Sequence, residues 1–191
     1  MFYGCTTYVH RVKVVSIKIP GVGYCSGVPI KYRGKHLILT ASHCIRGKDG
    51  TLINNIVLQD LIFKTKAKLL AFDSLLDIAV LTVYKDLQYA YPPVPLSLTS
   101  LKFGDIVCAY GSPNIIVNTF CGIVLAECHN LLDSKVNKFG FPVPVGTSGG
   151  PIYHLGYLVG IIIRSDSFNS YGVCMEAIAS FMDKVIFNEN I

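Results

Sequence analysis

The strongest constraint on this chain is the run Phe141-Pro142-Val143-Pro144-Val145-Gly146-Thr147-Ser148-Gly149-Gly150-Pro151. It sets a serine among three glycines inside an apolar stretch, where the backbone must bend sharply and approach a ligand closely. Such a turn presents a hydroxyl, and the amides of Gly146 and Ser148 that bracket it can converge on one developing negative charge. Serine is a weak nucleophile at neutral pH, so acyl transfer also requires a base and a carboxylate to orient that base. Two apolar strand-like runs supply them. The run over 37–44 ends in His43-Cys44, and Asp77 opens Ile78-Ala79-Val80-Leu81. Asp73 is the rival carboxylate, but no comparable strand follows it directly. His10, His36, His129 and His154 lie in no comparable setting and are read as surface or packing residues.

With 191 residues, 51% of them hydrophobic and only 15% charged, the chain can bury a large core. No run approaches the length of about 18 apolar residues that a membrane-crossing helix needs. Net charge is +5, but the lysines and arginines are dispersed and several alternate with apolar residues, as on the solvent face of strands. That pattern speaks against a nucleic-acid site, which concentrates basic and aromatic residues in one stripe. The amino terminus lacks the basic, apolar and small-residue segments of a secretory signal, which favours an intracellular setting. Seven cysteines leave at least one thiol unpaired within a monomer, and in a reducing compartment all seven could be buried thiols.

Alternation and turn residues predict strands over 10–19, 24–31, 35–41, 51–58, 61–72 and 77–83, the six that a small closed barrel needs. Arg33-Gly34 is read as the hairpin turn that delivers His43. The proline-rich stretch over 91–96 is read as a linker. Further strands are predicted over 105–110, 115–126, 150–154, 157–164 and 173–179. The spacing of Ser180 and Asp183 marks the start of a short carboxy-terminal helix.

The text around the three polar residues resembles the chymotrypsin-like serine protease superfamily: Thr40-Ala41-Ser42-His43-Cys44, Asp77-Ile78-Ala79-Val80-Leu81 and Gly146-Thr147-Ser148-Gly149-Gly150-Pro151, in that order. The likeness covers about 22–165, and 103–124 is similar to HtrA-type and other minimal members. The resemblance implies an all-β fold of two antiparallel six-stranded Greek-key barrels with the active site in the cleft between them. The corresponding domains are 1–88 with His43 and Asp77, a joint at 89–101, and 102–191 with Ser148 and the terminal helix. It implies a serine endopeptidase with catalytic residues His43, Asp77 and Ser148, an oxyanion hole at Gly146 and Ser148, and no cofactor or metal. A catalytically silent peptide-binding module of the same fold is the alternative.

The short single domain is also similar to proteases embedded in viral polyproteins. That setting implies a host-cell location and a substrate that includes the chain's own precursor. Cys25 and Cys44 match two positions bridged in the secreted enzymes. Thr147 stands where zymogen-activated relatives carry an aspartate, so no such activation is implied. Ile163 stands where many relatives place a serine that supports the catalytic aspartate, which implies fewer hydrogen bonds to Asp77. In relatives the pocket beside the scissile bond is walled by segments that here contain Pro142, Val143, Ile162, Ile163 and Arg164. These imply cleavage after a medium or large apolar residue, with Arg164 at the pocket mouth able to reach an acidic group.

Overall fold

The computed structural model describes residues 13–53, 56–61, 64–83, 92–97, 99–132 and 134–188. Six strands close a first barrel in the order β1-β2-β3-β6-β5-β4: β1 (Val15–Ile19), β2 (Gly23–Tyr32), β3 (Lys35–Thr40), β4 (Ile56–Gln59), β5 (Lys64–Asp73) and β6 (Ile78–Val83). Six more close a second barrel in the order β10-β11-β12-β9-β8-β7: β7 (Ile106–Gly111), β8 (Asn118–Leu131), β9 (Ser134–Phe139), β10 (Pro151–His154), β11 (Tyr157–Ser165) and β12 (Ser170–Cys174). All pairings between these strands are antiparallel. Closure leaves neither sheet with a free edge.

The turns follow from backbone chemistry. Arg33 and Gly34 both adopt positive φ, 45° and 84°, and Leu155 and Gly156 repeat the pair at 49° and 85°. Two successive positive φ values give the twist that a tight hairpin needs. The first turn closes β2 on β3 with Tyr32 opposite Lys35, and so fixes where His43 emerges.

Three apolar clusters hold the molecule together. The first barrel is filled by Val15, Ile17, Ile38, Ile45, Leu58 and Leu81 among others. The second is filled by Val107, Val124, Phe139, Ile152 and Ile162. The third belongs to neither barrel alone. It joins Val28, Leu39 and Val80 of the first to Leu158, Ile161 and Val173 of the second, and adds Met175, Ile178, Phe181, Met182 and Val185 of the helix α1 (Met175–Asn188). Each fully buried Leu, Ile or Phe contributes about 1.5–3 kcal/mol relative to exposure. The barrels are therefore joined by core, with α1 as a clasp. Tyr32 and Arg33 both reach Asp183 on α1, at 2.9 and 2.7 Å, and complete that docking.

Several boundaries differ from the sequence reading. The helix begins at Met175, inside the expected strand over 173–179, so that strand ends at Cys174. Strand β9 was not anticipated, and β8 runs to Leu131, five residues beyond the expected end. Lys135-Val136-Asn137-Lys138 carries little alternation, because Val136 and Asn137 are both buried while Lys135 is exposed. Of the joint expected over 89–101, residues 92–97 and 99–101 are described. Val94 pairs with Ile30 of the first barrel and Leu96 with Leu158 of the second. The start of the strand expected over 10–19, together with His10 and Cys5, lies outside the described residues.

Candidate active site

The Asp–His half of the site is built within the first barrel. Strand β3 runs into a single turn of 3-10 helix, Ser42–Ile45, which lifts His43 from the barrel rim. Asp77 precedes β6 and adopts φ 56°, a left-handed conformation that aspartate tolerates better than most residues. That turn aims both its carbonyl and its carboxylate at the 3-10 helix. The Ser42 amide donates to the Asp77 carbonyl at 3.1 Å. The His43 amide and the Ser42 hydroxyl donate to Oδ1 at 2.9 and 2.8 Å, and His43 Nδ1 lies 2.7 Å from Oδ2.

Burial by itself pushes the Asp77 carboxyl pKa up. The hydrogen bonds and charge of His43, with the Ser42 hydroxyl, outweigh it and hold the group below the ordinary carboxylate range. An ionised Asp77 has no proton to give, so Nδ1 carries the hydrogen of this contact. The His43 side chain remains 46% exposed and that of Asp77 22%, so the imidazole is open to a ligand while its partner is shielded. The expectation of a poorly supported aspartate is corrected here. Ile163 supplies no hydroxyl, but Ser42 does, from the opposite side of the sequence.

Asp73 has other work. Its Oδ1 accepts from the amides of Leu75 and Leu76 at 2.9 and 3.0 Å, shaping the turn that carries Asp77.

Ser148 comes from the second barrel on a turn that only glycines permit. Gly146 and Gly149 have φ of 95° and 79°. A Cβ at Gly146 would lie 2.5 Å from Pro113 Cβ. One at Gly149 would lie 2.2 Å from both the Ser26 carbonyl and the Thr40 hydroxyl, and one at Gly150 would lie 2.1 Å from the Tyr110 carbonyl. The loop is thus wedged between its own barrel and β2–β3 of the other. Thr147 is fully buried against Gly111.

The loop's hydrogen bonds are specific. The Ser26 amide donates to the Ser148 carbonyl at 2.8 Å, and Gly149 donates to the Ile162 carbonyl at 2.6 Å. The buried Ser26 hydroxyl donates to the Gly146 carbonyl at 2.7 Å and accepts from the Ser112 amide at 2.8 Å. The Ser16 hydroxyl in turn lies 2.5 Å from the Ser112 carbonyl. Among the described residues, the amides of Gly146 and Ser148 have no acceptor and the Ser148 hydroxyl has no partner. Two unpaired donors therefore flank an unpaired hydroxyl.

Cys25 and Cys44 are bonded, with Cα atoms 5.9 Å apart, directly beneath His43. Two further disulfides, Cys108–Cys121 and Cys128–Cys174, were not legible in the spacing. Each joins strands whose register only the fold reveals. Two groups of metal-ligating residues, Cys25-His43-Cys44 and Cys128-Cys174-Glu176, gather within 4.8 Å. Both owe their sulfurs to disulfides, so neither offers a thiolate.

The five residues expected to wall a substrate pocket part company. Ile163 and Arg164 line a cleft beside His43 and Asp77. Ile162 is 1% exposed in the second barrel's core, so its side chain is not available to a ligand. Val143 is half-buried against the same core, and Pro142 is exposed. The Ser165 hydroxyl accepts from the Val143 amide at 2.9 Å and fastens the 142–144 segment to β11. The sequence reading missed Ser26, Ser42, Arg46, Leu75 and the tip of the β8–β9 hairpin. Only Ser42, next to the motif histidine, carried a signal that could have found it.

Two closed antiparallel barrels of this order, with an Asp–His pair on one and a glycine-bound serine on the other, define the chymotrypsin-like fold. The chain belongs to the trypsin-like peptidase domain family, which matches residues 25–161. A search of curated proteins found no significant match. Among solved structures, the chain is similar to the serine endoprotease from Yersinia pestis, with a TM-score of 0.77 and 25% identity. That likeness covers 95% of this chain and 66% of the Yersinia protein's, so the chain spans just under two-thirds of that relative's length. It is also similar to the Rv3671c protease in an inactive form, with a TM-score of 0.74 and 20% identity over 91% of this chain and 88% of that one. A mutant of Rv3671c from M. tuberculosis H37Rv, also inactive, gives a TM-score of 0.71 at 20% identity, over 91% and 86% of the two chains. At 20% identity these two speak to the fold. No helix among the described residues is long and apolar enough to cross a membrane.

Proposed function

We propose that this protein is a serine endopeptidase, with Ser148 as nucleophile, His43 as general base and Asp77 as the residue that orients the base. The observation that carries this reading is the 2.7 Å contact of His43 Nδ1 with an ionised Asp77, which leaves Nε2 as the proton acceptor. Ser148 attacks a peptide carbonyl, Nε2 takes its proton, and the free amides of Gly146 and Ser148 receive the oxyanion. His43 then returns the proton to the leaving amine, and water releases the acyl group by the same route. Residues 1–88 and 102–191 serve as the two halves of the site and 89–101 as their joint.

A serine-reactive phosphonate tests the reading directly. It should label the wild-type protein at Ser148 and leave Ser148→Ala unlabelled. Ser148→Ala and His43→Ala should each lose about a thousandfold or more of peptidase activity, with losses that do not add. Wild-type turnover in Ser148→Ala would remove the nucleophile assignment. Processing of its own viral precursor is the narrower form of this reading, supported by the resemblance to polyprotein proteases. Cleavage of flanking precursor sequence by the wild type, and not by Ser148→Ala, tests it.

A second reading has one observation behind it. Among the described residues no hydrogen bond joins Ser148 to His43, which is compatible with a silent peptide-binding module of the same fold. Catalytic hydrogen bonds often tighten only with substrate bound, so the endopeptidase reading is kept. Absence of phosphonate labelling in folded wild-type protein would decide for the module.

A further inference from the structure

We infer that the cleft beside His43 selects peptide substrates that carry an acidic side chain close to the scissile bond. This deepens the endopeptidase reading and rests on it for the word substrate. The cleft has a volume of about 680 Å³ and runs from His43 and Asp77 to the tip of the β8–β9 hairpin. The hairpin closes one end, where the Ser134 hydroxyl donates to the Leu75 carbonyl across the two barrels. Leu75, Leu132 and Ile163 give the cleft apolar walls, and Arg46 and Arg164 give it two cations.

Among the described residues that line the cleft, the cations outnumber the anions by two to one. Arg46 is held rigidly, its guanidinium 5.3 Å from the Phe72 ring centre and donating to the Gly50 carbonyl at 2.9 Å and the Ser74 hydroxyl at 3.1 Å. None of these partners is anionic, and a guanidinium has five donors to offer. Arg164 stands on β11 across from Tyr171 and makes no ion pair among the described residues. Among the described residues, the one carboxylate lining the cleft is Asp77, whose oxygens already serve His43 and Ser42.

Among the described residues, three carboxylates sit on flanking turns, and each accepts hydrogen bonds locally. Asp49 accepts from Thr51, and Asp73 from the Leu75 and Leu76 amides. Asp166 accepts from the Phe168 and Asn169 amides and the Tyr171 hydroxyl. Two guanidinium groups without an anionic partner among the described residues, set among apolar walls beside His43, suit a carboxylate on an extended peptide better than an amide or a cation.

The test is a peptide library varying every position around the scissile bond among Asp, Glu, Asn, Gln and Lys. The wild type should prefer the acid over its amide isostere at one position by about tenfold, chiefly through KM, and less at high salt. Arg164→Gln or Arg46→Gln should erode that preference, and Arg164→Glu should shift it towards Lys. The selected acidic peptide should also bind Ser148→Ala, which cannot turn it over, more tightly than its amide counterpart. A wild type that labels with phosphonate but treats acid and amide alike would overturn the inference and leave the endopeptidase reading standing. An acid preference untouched by both arginine variants would overturn it equally. If Ser148 fails to label, the endopeptidase reading falls, and the binding comparison on Ser148→Ala still decides the chemistry of the cleft.

Discussion

A buried carboxylate stays ionised only when its hydrogen bonds outweigh the cost of leaving water, and Asp77 meets that condition with help from Ser42. Hydrogen bonds to charged groups contribute about 1.5–3 kcal/mol, so Ser42→Ala should lower kcat about tenfold while changing KM little. Steady-state kinetics on one apolar peptide would show it, and an unchanged kcat would make the Ser42 hydroxyl incidental. The pH dependence has a definite sign. Because the Asp77 pKa is depressed, its contribution to folding is present above the ordinary carboxylate value and is lost as pH falls through the depressed one. Ser42→Ala should move the acid-unfolding midpoint upwards, which circular dichroism against pH measures. The pairing of His43 with Asp77 and the glycine turn at Ser148 were legible because each residue sits in a local run of characteristic neighbours. The role of Ser42 was not, since its target depends on the positive φ of a residue 35 positions away.

At the scale of elements, the loop over 144–150 is an inter-barrel part, held as much by β2 and β3 as by its own strands. Gly149→Ala places a methyl group against the Ser26 carbonyl and Thr40 hydroxyl, in a backbone conformation that disfavours a side chain. We expect it to abolish phosphonate labelling and to lower Tm. Gly21→Ala is the control, since φ there is 71° but nothing lies within 4 Å. It should cost only about 1–2 kcal/mol and leave labelling intact. Ser26→Ala should cost about 1–3 kcal/mol for each buried group it strands, the Ser112 amide and the Gly146 carbonyl. Strands written as unbroken apolar runs, such as β3 and β6, were readable from sequence within a residue or two. Strand β9 and the start of α1 were not. Buried Asn137 breaks the expected pattern, and Val173-Cys174-Met175 is an apolar run that suits strand and helix equally. The disulfides between strands escaped for the same reason, because register is a property of the sheet.

At the scale of the molecule, the shared core under α1 makes the two barrels one thermodynamic unit. Calorimetry should show a single transition, and two separate ones would contradict that coupling. Phe181 is 7% exposed within the shared cluster. Phe181→Ala should cost about 3–5 kcal/mol and lower Tm by roughly 10 °C, although the residue belongs to no barrel.

The division of the site between barrels has a mechanical corollary. An adduct bonded to Ser148 that also rests on the first barrel's imidazole becomes a rivet across the cleft, present only in the native state. Such native-only contacts raise the melting temperature, so the phosphonylated protein should melt above the free one. A reagent that bonds to Ser148 thus doubles as a gauge of how firmly the two halves are sewn together.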